Sequence, residues 1–182
     1  MSVKRIAPAT PVVSDLTVAT HFGLLGIGPM MLAIGAGVPG GGAWPAANRA
    51  LLIPFVLPRT ATAYKIHVGN GGTVSGNLDA GIYSAAGALL VSIGSTANAG
   101  TNVYQSLDIA DTQLTGGTLY YVALVFDNAT ATPLRSQTNA RVLAGLGVRE
   151  KATSFPLPDP LTGTAVPTSN YVPGLFVELR SL

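Results

Sequence analysis

From Asn48 onward the chain is a succession of short β-like runs separated by turn residues, and this spacing constrains the fold more than any other feature. Candidate strands fall at residues 51–57, 62–68, 77–83, 88–94, 103–109 and 119–127, each bounded by Pro, Gly, Asn or Thr clusters. Tyr64, Ile66 and Val68 alternate with Lys65 and His67, and Leu78, Ala80 and Ile82 alternate with Asn77, Asp79 and Gly81. Alternation with period two buries one face of a sheet and does not fit a helical turn. Ala85-Ala86-Gly87 reads as a hairpin, and Leu114-Thr115-Gly116-Gly117-Thr118 as the turn before the strongest strand, LYYVALVFD. Beyond Asn128 the pattern is mixed: residues 141–148 form another apolar run, 155–168 hold four Pro and predict no regular structure, and 175–179 predict a closing strand. The expected fold is all-β, an antiparallel jelly-roll-like β-sandwich over residues 46–149. An extended N-terminal arm (1–45) and a Pro-rich wrapping segment with the closing strand (150–182) flank it.

Composition bears on what such a sandwich does. The chain is 48% hydrophobic and only 10% charged, against about 25% charged in an average globular domain. It is too hydrophobic for disorder, and a surface so poor in charge invites partners. Residues 22–38 carry no charge at all, yet five glycines and Pro29 oppose a membrane helix, and the run falls short of a bilayer span. The expectation is a buried arm, strand or oligomer contact, with Phe22, Leu24, Leu25, Met30, Met31 and Leu32 as contact residues. Residues 1–45 and 150–173, rich in Pro and Gly, are the expected intersubunit arms, and a homotrimer is the expected assembly. A net charge of +2 without a basic run argues against nucleic acid. Pro8, Pro11 and Asp15 interrupt what would be the apolar core of a signal peptide. The absence of Cys excludes disulfides, thiolate nucleophiles and Cys-based metal sites.

Motifs of catalysis are scarce. The chain has two His, at 21 and 67, no H-E-x-x-H and no G-x-S-x-G. His67 falls on the predicted strand face opposite Tyr64 and Ile66, a solvent- or interface-facing position. Residues 35–40 spell G-x-G-x-x-G, but Pro39 and further glycines stand where the phosphate-binding helix would begin. Asn128-Ala129-Thr130 spells a glycosylation sequon and reads as a turn. Asn77 and Asp79 share a strand face and offer two oxygen ligands, too few for calcium, so a solvated polar pair is the expectation. No catalytic residue, cofactor or metal is therefore assigned. Tyr83, Tyr104 and Tyr121 are the candidate glycan or partner contacts, because a tyrosine ring offers a flat face with a polar tip.

Three stretches carry a family likeness: NRALLIPFVLPRTATAYKIHV, GNLDAGIYSAAGALLVSIGST and GGTLYYVALVFDN. The pattern runs from an N-R-x-x-x-x-P-F strand (Asn48, Arg49, Pro54, Phe55) to a G-N-x-x-x-G-I-Y strand (Gly76, Asn77, Gly81, Ile82, Tyr83). A G-x-L-L hairpin partner (Gly87, Leu89, Leu90) and a G-x-x-Y-Y-x-A-L strand (Gly117, Tyr120, Tyr121, Ala123, Leu124) follow. This resembles the jelly-roll-like modules of tailed-bacteriophage virion proteins of the tail-fibre, head-fibre and capsid-decoration type. The resemblance covers residues 48–127, under half of the chain, and its motifs are structural rather than catalytic. It implies a non-enzymatic structural protein on the virion surface, with itself, major capsid or tail proteins and a host-surface glycan as expected partners. Long fibre shafts are repetitive, whereas this chain has no internal repeat or heptad, so a compact particle-surface protein is expected. The competing expectation is a carbohydrate-binding jelly-roll module.

Overall fold

A computed structural model describes residues 40–137 and 139–181. Twelve strands and one short helix occupy them: β1 Gly40–Gly41, β2 Arg49–Val56, β3 Ala61–Gly69, β4 Asn77–Ser84, β5 Leu89–Ser92, β6 Thr96–Ala97, β7 Tyr104–Leu114, β8 Leu119–Phe126, β9 Leu134–Gln137, α1 Ala140–Gly145, β10 Arg149–Ala152, β11 Tyr171–Pro173 and β12 Leu175–Ser181. The large sheet runs β10-β2-β8-β4-β5, with β6 also on β4; a second sheet runs β12-β3-β7, and a small third sheet β1-β9-β11. Every pairing is antiparallel. The fold is thus an all-β antiparallel sandwich.

Alternation explains the main core. Leu51, Ile53 and Phe55 of β2, Leu78, Ala80 and Ile82 of β4 and Val122, Leu124 and Phe126 of β8 meet Ile66 and Val68 of β3 and Val177 of β12. At one end Trp44 is nearly fully buried, 4.9 Å from the Phe126 ring centroid and 6.2 Å from that of Tyr171, and its Nε1 donates to the Arg49 carbonyl. The six runs expected between residues 51 and 127 coincide with β2, β3, β4, β5, β7 and β8, β7 extending five residues further than expected, to Leu114.

Three local features differ from the sequence reading. Ala63, Ile66 and Val68 are fully buried, whereas Tyr64 is half-buried. A bulge opposite Glu178 inserts one residue here, so burial steps by three between Ala63 and Ile66 and Tyr64 leaves the inward set. Part of the apolar run 141–148 is helical: α1 buries Leu143, and the Asn139 side chain accepts from the Arg141 N–H at its start. Asp79, expected in solvent, is fully buried, because the large sheet is covered on both faces.

The cover of that outer face is the Pro-rich stretch, which has no strand or helix over 153–164. Leu157 and Leu161 pack on Ala50, Leu52, Tyr83, Ala123 and Val125, the outward residues of β2, β4 and β8. Hydrogen bonds fasten it, among them Leu157 N–H to Asp79 Oδ2 (2.9 Å), Tyr83 O–H to the Pro158 carbonyl (2.7 Å), Leu89 N–H to Asp159 Oδ1 (3.0 Å) and Leu161 N–H to the Gly87 carbonyl (2.9 Å). Gly87 has φ +87°, and a Cβ there would meet the Leu161 carbonyl at 2.5 Å, so both backbone angle and clearance demand glycine. The segment expected to reach another subunit lies here along its own sheet. The expected boundary at 149/150 falls inside β10, and β12 is an integral strand of the second sheet. The N-terminal arm through Pro39, with the contact residues Phe22, Leu24, Leu25, Met30, Met31 and Leu32, lies outside the described residues.

Candidate functional site

Where the cover leaves the sheet, a cavity of about 230 Å³ opens on the outer face. Register builds its floor: Arg149 of β10 stands opposite Leu52 of β2, and Tyr83 of β4 opposite Tyr121 of β8. The turn Ser84–Gly87 forms one wall and residues 161–164 another. That turn is closed by Gly87 N–H to the Ser84 carbonyl (3.0 Å) and Ser84 N–H to the Ala88 carbonyl (2.9 Å).

Polar groups in the cavity divide into committed and uncommitted ones. The Tyr83 hydroxyl is committed to Pro158, and burial beside Asp79 and Asp159 raises its pKa far above the usual phenol range. Among the described residues no hydrogen bond or ion pair engages the Arg149 guanidinium, the Tyr121 hydroxyl, or the hydroxyls of Thr162 and Thr164. Ser84 Oγ accepts from the Ala88 N–H at 3.2 Å, which leaves its own hydrogen to donate. Lys151, two residues along β10 from Arg149, places its Nζ 3.2 Å from the Gly163 carbonyl and adds a second positive charge at the wall.

The three tyrosines singled out in the sequence do not form one platform. Tyr83 and Tyr121 line the cavity, but Tyr83 is fully buried and presents no open ring face. Tyr104 lies on the other sheet, in β7, 47% exposed and 5.0 Å from the Phe176 ring centroid. Arg149, the cation between them all in importance, carried no signal in the sequence: it follows a glycine-rich apolar run and belongs to no motif. Only its pairing with β2 brings it to the tyrosines.

A second polar cluster covers the outward face of the smaller sheet. His67 Nε2 lies 2.9 Å from Glu178 Oε2, the Tyr64 hydroxyl donates to the other carboxylate oxygen, and the Arg180 guanidinium stands 5.5 Å from the Tyr64 ring centroid while pairing with Asp111. The Tyr64 hydrogen bond, ahead of the opposing effect of burial, holds the Glu178 carboxyl below its ordinary pKa. His67 therefore faces outward as expected, but beside Tyr64 rather than opposite it, because of the bulge. Both carboxylate oxygens are occupied by protein donors. Lys65 and Asp108 add a pair at 3.5 Å on the same sheet.

The remaining motifs resolve into structure. Asn77 Nδ2 donates to Asp127 Oδ2 at 3.1 Å, and Asp79 takes the Leu157 N–H, so the two do not share a ligand. Asn128 Oδ1 accepts from the Thr130 and Ala131 N–H groups while its Nδ2 donates to the Ser75 carbonyl, closing the turn spelled as a sequon. Among the described residues no three His, Cys, Asp or Glu gather as metal ligands would, and no helix is long and apolar enough to cross a membrane. His21 and most of the G-x-G-x-x-G stretch lie outside the described residues. Comparison with known proteins yields no match to the chain among family models, curated proteins or solved structures.

Proposed function

We propose that the protein is a non-enzymatic structural subunit of a tailed-phage virion, exposed on the particle and acting through contacts with itself and with major capsid or tail proteins. The observation that carries the reading is the winding of the sandwich. β2, β8 and β4 lie side by side in one sheet, while β3 and β7, which alternate with them along the chain, pair in the other. Such interleaving is how a jelly roll is wound, and the phage-like motifs fall on β2, β4, β5 and β8 of the large sheet. The charge-poor sequence and the uncharged run at residues 22–38 support assembly through covered surface. Light scattering on the full chain after size exclusion tests it: a trimer near three times the 18.5 kDa chain mass is expected, and a monomer at micromolar concentration overturns it. Labelled antibody against the chain, seen on purified particles by negative-stain microscopy, tests the location.

A second reading is a carbohydrate-binding jelly-roll module. The cavity that brings Tyr121 together with an Arg149 unpaired among the described residues favours it.

A further inference from the structure

We propose that the outer-face cavity binds a single acidic sugar residue, a uronate or other carboxylate-bearing ring, with Arg149 gripping the carboxylate and Tyr121 meeting the ring. The proposal rests on the carbohydrate-binding reading and names the ligand class for that site. It also stands beside a structural role, since a particle-surface subunit can carry a glycan site.

Size comes first. Pockets for drug-sized ligands hold roughly 300–1,000 Å³, and the cavity's volume of about 230 Å³ falls below that range, which suits one ring and no more. Charge comes second. Arg149 lines the cavity with no acceptor among the described residues, and its planar fork matches a carboxylate in two parallel hydrogen bonds. Lys151 brings further positive charge to the wall. Among the described residues neither nearby acid pairs with these cations: Asp79 takes the Leu157 N–H, and Asp159 takes the Leu89 N–H. Polarity comes third. Ser84, Thr162 and Thr164 supply hydroxyls that both donate and accept, which is what the alternating hydroxyls of a sugar ring require. Tyr121, partly buried where it lines the cavity, adds an aromatic ring whose hydroxyl has no partner among the described residues, a combination suited to a pyranose.

Isothermal titration of the full chain with glucuronate, galacturonate, N-acetylneuraminate, glucose, galactose and acetate tests this, with binding located by the loss in variants. At least one sugar acid is expected to bind with a dissociation constant of about 1 mM, weakening as salt rises. Arg149→Gln should weaken it about tenfold and Tyr121→Ala comparably, while Arg141→Gln on the exposed α1 leaves it unchanged; circular dichroism of each variant checks the fold. Should glucose or galactose bind as well as the acids, and Arg149→Gln change nothing, the acidic class falls while the carbohydrate reading survives. Acetate binding as tightly as the uronates would remove the ring from the recognition. Silence from all sugars at about 50 mM, far above that constant, would overturn both this proposal and the carbohydrate reading.

Discussion

The two faces of the large sheet are buried in different ways. The inner face meets another sheet, strand against strand, and its residues are large and apolar: Leu51, Phe55, Leu78, Ile82, Leu124, Phe126. The outer face of the same strands mixes large apolar residues, Leu52, Tyr83 and Val125, with small or polar ones, Ala50, Asp79, Gly81 and Ala123, and is covered by a segment without regular structure. A sheet packs at about 10 Å through interdigitated side chains, whereas a bare backbone lies closer and needs room. The difference is one of fastening: the inner face is held by apolar area, the outer one by a few apolar anchors and by polar groups that receive backbone atoms of the cover.

That contrast breaks first at Trp44. Trp44→Ala removes a fully packed ring from the inner core and should cost about 3–5 kcal/mol in urea unfolding; a loss under about 1.5 would mean that the end of the sandwich adapts as freely as its cover. Leu157→Ala comes next, at about 2 kcal/mol, the low end for leucine truncation because the outer cluster is small. Limited proteolysis should then cut within residues 153–164 while the β-sheet circular dichroism persists. Loss of the whole fold at once would show the cover to be inseparable from the core.

The third effect is electrostatic and separates two anchors by sign. Burial raises the Asp79 pKa above its ordinary value, so this group's contribution to stability is full at low pH and declines as pH rises through the raised value. Asp79→Ala leaves the Leu157 N–H without an acceptor and should cost about 1–3 kcal/mol. Asp79→Asn keeps an acceptor and should lose little at pH 7, flattening the decline that begins above the ordinary aspartate value. Glu150 behaves oppositely. Burial pushes its pKa up, but hydrogen bonds from Thr168 and Ser169 outweigh that and hold it below 4.5, so its stabilisation is present above that value and is lost as pH falls through the lowered one. Glu150→Gln should cost about 1 kcal/mol at pH 7 and blunt acid unfolding. Fluorescence-monitored melts of both variants across pH 3–8 should show slopes changing in opposite directions; parallel changes would contradict the assignment.

The smallest effect is on the outward face of the second sheet. Lys65 and Asp108 pair at 3.5 Å with Asp108 almost fully exposed, so Lys65→Ala should move stability by less than about 0.5 kcal/mol.

The strands were legible because their signal is local. Turn residues and alternation lie within a few positions of each other, and β2, β3, β4 and β8 begin and end within two residues of the expected runs. The bulge at Tyr64 was not legible, since nothing in Ala-Thr-Ala-Tyr-Lys-Ile says that two residues will oppose one. Of the residues that line the cavity, Tyr83 and Tyr121 were singled out in the sequence and Arg149 was not. Tyr121 stands out in an aromatic strand, while Arg149 gains meaning only from lying opposite Leu52.

By itself, then, the sequence determined an all-β chain, the places of its main strands and, the bulge at Tyr64 aside, which of the alternating residues in β3 and β4 turn toward the sandwich core, because steric preference and hydrophobic period act between neighbours. Only the tertiary structure decided that the outer face is also buried. Asp79 reads locally as a polar residue due for solvent, and its partner, the Leu157 N–H, arrives from 78 residues away. Burial on a second face depends on where a distant segment comes to lie, and an irregular, Pro-rich stretch has no period to announce its destination.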